Sequence, residues 1–211
     1  MKQVILIFCA HSDDEAVGMG GTIIRYIKEG KNIIKVVFSF GESSHPHLKA
    51  NIIAETRALE TEEISRRIGI KKTIFFGLRD TKLTEDLELA EVKSKLKRLI
   101  EKYKPVRIFI PSELDAHPDH RAVNKTVISA LDGLDYKCDV LVFEVWGYMP
   151  KDKPLIYIDI TPYFKEKISM MKQFKSQWHF IYPLLLPIYS KALLNGFKNK
   201  CRYAERFYKV R

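Results

Sequence analysis

Short, nearly continuous apolar runs alternate with longer amphipathic segments along most of this 211-residue chain. The apolar runs cover residues 3–9, 33–40, 73–76, 106–110 and 139–145, and helical patterns cover 16–29, 50–69, 85–103 and 119–131. Strands that are apolar on both sides must be buried on both faces, as in parallel sheets covered by helices. The alternation therefore predicts an α/β fold. We expect a Rossmann-like, doubly wound, mostly parallel sheet in the order 3-2-1-4-5, with helices on both faces.

The chain shows no internal repeat and no Pro/Gly/Ser-rich linker, so we expect a single domain over residues 1–211. The pattern weakens after residue 150. The apolar pattern of residues 155–160 indicates another strand. Thr161–Pro162 indicate the start of a helix that extends to residue 175. The rest is aromatic and basic without a clear period. We expect residues 151–211 to be a C-terminal extension that wraps the core or forms part of a substrate cleft.

The amino-acid composition and net charge limit the classes of protein to which this chain can belong. Three scattered cysteines without a CxxC pair indicate neither a disulfide framework nor a thiolate zinc site, and they fit a cytoplasmic protein. The apolar stretch 178–194 contains two prolines, a histidine and a lysine, which argues against a transmembrane span and favours a lid, a pocket wall or a docking surface. The net charge of +10 attracts anionic partners but does not choose among nucleic acid, phosphorylated small molecules and acidic lipids.

Two clusters of histidines and carboxylates each follow a predicted strand. The first opens the first helix with His11, Asp13, Asp14 and Glu15, and the second follows the fourth strand with Asp115, His117, Asp119 and His120. Taken alone, the first cluster is equally consistent with a capped helix start, because acidic residues there suit the helix dipole. A capping aspartate with nearby solvent-facing histidines would likewise account for the second. The two clusters together are more informative.

In the order 3-2-1-4-5, strands one and four are neighbours, and ligands bind beyond their carboxyl ends. The two clusters should therefore converge, although they lie about a hundred residues apart in the sequence. Two histidines and a carboxylate around an open position form a catalytic metal site, for which zinc is the leading candidate. A spare carboxylate beside the metal could deprotonate water.

The stretch AHSDDE, residues 10–15, resembles the AHPDDE motif of the LmbE-like zinc deacetylases, and HPDH, residues 117–120, matches their second motif. This family includes the N-acetylglucosaminyl-phosphatidylinositol (PIG-L) and mycothiol-pathway de-N-acetylases. Segments 55–69, 75–80, 175–177 and 203–207 resemble other parts of the family, so the resemblance covers nearly the whole chain. The core motifs depart from the family at Ser12, where proline is usual.

The resemblance implies a role for each residue of the two motifs. It gives His11, Asp14 and His120 as ligands of one Zn²⁺ per chain, with Fe²⁺ or another divalent metal as the alternative. Asp13 would be the general base that activates metal-bound water. His117 would stabilise the oxyanion or protonate the leaving amine, and Asp119 would orient His117.

Three further residues are candidates for substrate binding: Arg57, Arg79 and Asp80. Arg57 and Glu60, three residues apart on a predicted helix, could equally form an ion pair. Arg79 and Asp80 follow the third strand, at the same sheet edge as the motifs. The polar stretch 42–45 is interpreted as a loop. Three aromatic residues could stack on a sugar ring, although core packing is the stronger expectation: Trp146, Trp178 and Tyr182.

The sequence thus predicts a zinc-dependent hydrolase that removes an N-acetyl or similar acyl group from an amino sugar conjugate based on N-acetylglucosamine. An anionic or lipid-linked conjugate would suit the basic charge and the apolar tail. One alternative is a metal-dependent phosphoesterase, although such sites often hold two metals and only one ligand set is visible. Another is a non-catalytic protein that binds nucleic acid or an acidic membrane.

Nucleic acid is the weaker partner, because the sequence carries no helix-turn-helix, zinc-finger or RNA-binding signature. A dinucleotide-binding protein is disfavoured because no GxGxxG follows the first strand. Peripheral membrane contact and a homo-oligomer are both compatible with the sequence.

Overall fold

The computed structural model describes residues 2–45, 47–147, 150 and 152–211. Within these ranges seven strands form one sheet in the order β3-β2-β1-β4-β5-β7-β6. They are β1 (Val4–Cys9), β2 (Asn32–Ser39), β3 (Lys72–Leu78), β4 (Arg107–Pro111), β5 (Asp139–Phe143), β6 (Leu155–Asp159) and β7 (Ala204–Lys209). The pairs among β1–β5 are parallel, whereas β7 runs antiparallel to both β5 and β6. The predicted α/β class and the order 3-2-1-4-5 are confirmed.

Seven α-helices surround the sheet in the described part of the chain. They are α1 (Asp14–Lys28), α2 (Ala50–Ile68), α3 (Leu83–Asp86), α4 (Ala90–Tyr103), α5 (Pro118–Asp132), α6 (Phe164–Met171) and α7 (Trp178–Lys198). The helix predicted over 85–103 is in fact two, because the extended backbone of Leu89 separates α3 from α4. The helix predicted from Thr161 to residue 175 is a short 3₁₀ turn followed by α6, which ends at Met171.

The core lies on both faces of the sheet, as the apolar strands require. Alternate residues of a strand point to opposite faces. Ile5 and Ile7 of β1 accordingly pack in one buried cluster, with residues of α1, α6 and α7. Leu6 and Phe8 pack in the other, with residues of α4 and α5. The motif loops that leave the carboxyl ends of the strands therefore start from a rigid double-sided core.

Helix α1 is kinked at Met19, whose backbone leaves the helical region. The amides of Gly21 and Thr22 donate to the carboxylate of Glu205 on β7, at 3.0 and 2.7 Å. The Lys167 ammonium donates to the Val17 carbonyl at 2.8 Å and pairs with Glu205 at 2.6 Å. A buried ion pair thus supplies partners for the backbone groups that the kink releases.

Residues 178–198, which show no clear period in the sequence, form the long helix α7 despite Pro183 and Pro187. None of the helices in the described ranges combines the length and the apolar character that crossing a bilayer requires. Trp178 and Tyr182 are exposed on α7 rather than packed in the core, and the expectation of core packing is wrong for both. Trp146 is also exposed.

Candidate metal centre and cleft

A cleft of about 670 Å³ opens at the carboxyl ends of the parallel strands. The loops after β1, β2, β3, β4 and β5 all contribute to its wall, and the first two turns of α7 close one side. The motif residues that reach it are His11, Asp13, Asp14, His117 and Pro118. The two motifs thus meet at one cleft, because β1 and β4 are adjacent in the sheet.

Asp14 lies at the centre of this cluster, in the first turn of α1. Its Oδ2 accepts the backbone N–H of His11 at 2.8 Å. Its Oδ1 lies 3.1 Å from Nε2 of His120 and 3.8 Å from Nδ1 of His11. Burial by itself raises the pKa of Asp14, but the two neighbouring histidines hold it well below its usual value. Asp14 is therefore an ionised carboxylate with one oxygen directed at two imidazole nitrogens.

The far side of the His11 ring is occupied by carboxylates. Nε2 of His11 lies 3.1 Å from Asp80 Oδ1 and 3.5 Å from Asp119 Oδ2. Burial by itself lowers the pKa of His11, but the surrounding carboxylates raise it well above its usual value. A carboxylate at Nε2 fixes the ring so that Nδ1 faces Asp14, an arrangement typical of metal-binding histidines.

His120 is oriented in the same way by the second motif. It is buried in the first turn of α5, with Nδ1 2.9 Å from Asp115 Oδ1. Asp115 is itself held by the backbone N–H groups of His117 and Trp146, each at 2.9 Å. Burial lowers the pKa of His120, but Asp14 and Asp115 raise it to about 9. Asp115 is thus the positioning partner of His120, a role that the sequence analysis did not identify.

The cluster fits a divalent cation. Neither buried ring nitrogen of His120 makes a well-aligned hydrogen bond among the described residues, although Nδ1 lies 2.9 Å from Asp115 Oδ1 and Nε2 lies 3.1 Å from Asp14 Oδ1. A buried polar atom without a partner requires an explanation. A cation shared by Nε2 and Asp14 would provide one, and two imidazoles with one carboxylate are a ligand set typical of zinc.

Ligand atoms of His11, His117 and His120 lie close enough together to hold a metal ion. A second group, His11 with Asp80 and Asp119, also has this spacing. Its carboxylates, however, already accept backbone hydrogen bonds. Thr81 N–H donates to both, at 3.0 and 2.9 Å, and Ser43 N–H donates to Asp80 at 2.9 Å. These carboxylates therefore support His11 rather than form a separate centre. Burial raises the pKa of Asp80, but the hydrogen bond and charge of His11, the Ser43 amide and the Arg57 charge together lower it to about 2.

His117 occupies the N-cap of α5. Its Nδ1 accepts the backbone N–H of Asp119 at 3.2 Å, which places the ring proton of the neutral imidazole on Nε2. Burial, and then the nearby His11 and His120, lower the pKa of His117. The Asp119 carboxylate binds the amides of Thr81 and Leu83, so Asp119 contacts His117 through its backbone and not through its side chain.

Asp13 lies beside the cluster and is bound by Arg57 of α2. The buried guanidinium donates to Asp13 Oδ1 at 3.2 Å and to the Gly41 carbonyl at 2.8 Å. Gly41 has a φ of +74°, and a Cβ there would lie 2.0 Å from Nη1 of Arg57. A glycine is thus required at position 41 both by the backbone and by the approach of Arg57.

Of the remaining candidate residues, some lie outside the cleft and one lies in its wall. Arg79 does not line the cleft, because its exposed guanidinium binds Asp86 and Glu85. Glu60 accepts hydrogen bonds from Ser176 instead of pairing with Arg57. Trp146 lines the cleft.

Beneath the first motif, the buried Lys35 of β2 donates to the Ser12 carbonyl and to the carboxylate of Glu15. The Ser12 hydroxyl, at the position where the family usually has proline, is buried and has no hydrogen-bond partner within the described ranges. The loop is thus anchored through its backbone carbonyl, which proline would also provide.

Comparison with known proteins gives a consistent picture. Residues 6–131 match the family described as PIG-L, GlcNAc-PI de-N-acetylase. The chain is 26% identical to a diacetylchitobiose deacetylase from Thermococcus kodakarensis, over 97% of this chain and 82% of the relative. It is 25% identical to a probable N-acetyl-alpha-D-glucosaminyl L-malate deacetylase from Bacillus cereus, over 84% of each.

Among solved structures, the chain is similar to an N,N'-diacetylchitobiose deacetylase from Pyrococcus horikoshii. The two superpose with a TM-score of 0.79 at 26% identity, covering 99% of this chain and 84% of the other. The matched family segment contains both motifs and the Arg57–Asp13 contact.

Proposed function

Because the chain belongs to the PIG-L, GlcNAc-PI de-N-acetylase, family, we propose that it is a zinc-dependent hydrolase that removes an N-acetyl group from an amino sugar conjugate. The observation that carries the proposal is the convergence of His11 and the buried His120 on one oxygen of Asp14, whose carboxylate lines the cleft. Asp13, an additional carboxylate, lies in the same wall. A ligand set beside a separate base is what metal-assisted amide hydrolysis requires.

We propose that Nδ1 of His11, the carboxylate of Asp14 and Nε2 of His120 hold one divalent cation. When bound, zinc supplies Lewis acidity, which polarises a carbonyl group and lowers the pKa of water to about 7. Asp80 and Asp115 position the two imidazoles from behind. Fe²⁺ remains an alternative metal, since imidazole and carboxylate ligands also suit it.

Asp13 is the proposed general base. It accepts a proton from the attacking water, and its position is fixed by the Arg57 guanidinium 3.2 Å away. Among the described residues Arg57 binds Oδ1 of Asp13, which leaves the second carboxylate oxygen available for the proton. Arg57, which also lines the cleft, is therefore proposed to position Asp13.

His117 is the proposed hydrogen-bond donor to the substrate carbonyl. Because Nδ1 accepts the Asp119 amide, the N–H of the neutral ring is at Nε2, in a residue that lines the cleft. A donor near the carbonyl oxygen stabilises the negative charge that develops there during attack. The same residue, once protonated, could return a proton to the leaving amine.

The proposed substrate class is an N-acetylglucosamine conjugate, in accordance with the names of the two curated relatives. The test is a substrate panel: diacetylchitobiose, N-acetylglucosaminyl malate, N-acetylglucosaminyl-phosphatidylinositol and free N-acetylglucosamine. Zinc-loaded protein should release primary amine and acetate in equal amounts from at least one of them. An N-acetyl-lysine peptide serves as the control amide without a sugar.

Two results would contradict the proposal. One is release of amine from the peptide but from none of the sugars. The other is hydrolysis of a phosphate monoester with two metal equivalents per chain, which would favour the phosphoesterase. In the metal analysis, His120→Ala should retain less than a tenth of the wild-type zinc, whereas a surface variant such as Asp135→Asn should retain all of it.

A further inference from the structure

Helix α7 carries a continuous apolar stripe on its outer side. Six large residues recur at spacings of four, four, three, four and four, which places them within about 100° of the helix circumference. They are Trp178, Tyr182, Leu186, Tyr189, Leu193 and Phe197, hereafter the α7 stripe, and all six are exposed. Leu186 is 74% exposed and Phe197 86%. Single exposed apolar residues are common, whereas an aligned set of this length marks an interaction surface.

The sequence around the α7 stripe is basic, although Lys167 and Lys191 are paired with Glu205 and Glu144. Residues 167–204 contain seven lysines and arginines and neither aspartate nor glutamate. Lys198 and Lys200 are exposed at the end of the helix. A surface of this kind attracts an anionic partner. A second copy of the chain would instead bring two basic surfaces together.

The residue types favour a lipid surface. Tryptophan and tyrosine are preferred where an apolar medium meets water, because each has an apolar ring and a polar group. A neighbouring side of α7, about 110° around the helix from the middle of the stripe, is packed on the protein through Ile181, Ile188 and Ala192. An apolar stripe flanked by cations, on a helix that lies along the protein, is the arrangement of an interfacial helix.

We propose that the α7 stripe, with Lys198 and Lys200, docks the protein on the surface of an anionic phospholipid bilayer. The cleft remains open in this arrangement. Phe180 and Leu184, which line the cleft, lie on about the opposite side of α7 from the stripe, at 100° per residue. Docking does not depend on catalysis and is tested separately from it.

The experiment is flotation of the full chain with vesicles of phosphatidylcholine, with and without phosphatidylglycerol, at low and high salt. The protein should float with the phosphatidylglycerol vesicles at low salt and be released at high salt. The emission of Trp178, one of two tryptophans in the chain, should shift to the blue on binding. This shift should be lost in Trp178→Phe.

Substitutions locate the surface. The double variant Leu186→Glu/Phe197→Glu should lower the vesicle partition coefficient at least about tenfold, because two apolar anchors are replaced by anions. Both side chains are solvent-exposed, so the fold should persist, with an unchanged thermal unfolding midpoint. Leu89→Glu is the matched control. Leu89 is 48% exposed at the start of α4, on the other face of the sheet, and its variant should float like the wild type. Lys198→Gln/Lys200→Gln should weaken binding several-fold and reduce its dependence on salt.

Several outcomes would overturn the proposal. These are no flotation with phosphatidylglycerol vesicles, equal flotation with phosphatidylcholine alone, and equal loss of binding in Leu89→Glu and in the double variant. Analytical ultracentrifugation tests whether a second copy of the chain, rather than a bilayer, occupies the α7 stripe. If the wild type is an oligomer that the double variant dissociates, and neither binds vesicles, the α7 stripe is a contact between copies of the chain.

Discussion

Gly41→Ala tests whether the buried Arg57 guanidinium holds the loop after β2 and Asp13 together. Gly41 has a φ of +74°, where an L-residue costs about 1 kcal/mol. A Cβ at this position would also lie 2.0 Å from Nη1 and 2.6 Å from Cζ of Arg57. The guanidinium would have to move, losing its bonds to the Gly41 carbonyl and to Asp13.

The expected loss of stability is large because the Arg57 guanidinium is buried. Arg57 is 3% exposed, so the displaced cation would lose partners that water does not readily replace. Hydrogen bonds to charged groups contribute about 1.5–3 kcal/mol each. With the loss of both bonds and the backbone cost added, we expect Gly41→Ala to lower the free energy of unfolding by about 4–7 kcal/mol. We also expect slower deacetylation, because Asp13 is no longer fixed.

Gly30→Ala is the matched control. Gly30 has a φ of +79° and open space around the position of a Cβ, so this variant carries the backbone cost alone, about 1 kcal/mol. Urea unfolding of Gly41→Ala and Gly30→Ala measures the difference between their free energies of unfolding. In an Arg57→Ala background, Gly41→Ala should cost no more than Gly30→Ala, because the clash is absent. Equal destabilisation by the two glycine variants in the wild-type background would refute the role given to Arg57.

Three more perturbations test other parts of the structure. Asp115→Ala should weaken zinc binding about 10–100-fold, because His120 loses its positioning carboxylate. Competition with a fluorescent chelator measures the affinity, and an unchanged value would show that Asp115 does not position His120. Lys167→Met should lower the free energy of unfolding in urea by about 3–5 kcal/mol, because Glu205 would remain buried without its cation, and a cost below about 1 kcal/mol would contradict that. Removal of metal by a chelator should lower the thermal unfolding midpoint, and added zinc at 100 times its Kd should restore about 2.7 kcal/mol. The same midpoint with and without zinc would show that the native cluster does not bind it.

The sequence allows the parallel half of the sheet to be predicted because β1, β2, β4 and β5 are buried on both faces, whereas the edge strand β3 is only half-buried. The runs that become β1 to β5 are nearly continuous apolar segments, a pattern typical of such strands. That α3 and α4 are separate helices could not be predicted from periodicity, because the interruption is only the extended backbone of Leu89.

The C-terminal part was harder to predict. Helix α7 is apolar on its exposed side as well as its buried side, so no amphipathic period appears. Strand β7 enters the sheet between β5 and β6, a pairing that depends on contacts far apart in the sequence. That residues 1–211 form a single domain remains a prediction.

For the site, the motifs gave the cluster of His11, Asp14 and His120, but not what orients the two histidines. Asp80 contacts His11 across 69 positions of sequence, through a loop whose path depends on the sheet order. Asp80 is predicted from the sequence to bind substrate, and the structure places it in the cleft wall and against His11. Arg79, its neighbour, points away towards Asp86 because adjacent residues in an extended loop diverge. Spacing alone cannot distinguish these two orientations.

The most direct test of the proposed mechanism is the comparison of Asp13→Asn with the wild type at equal zinc content. Both proteins are loaded, their zinc is quantified per chain, and amine release from the best sugar substrate is measured in a single turnover. We expect Asp13→Asn to retain one zinc per chain and to react at least about a hundred times more slowly, since a general base contributes 10²–10⁴-fold. A fully active Asp13→Asn with zinc bound would contradict the account.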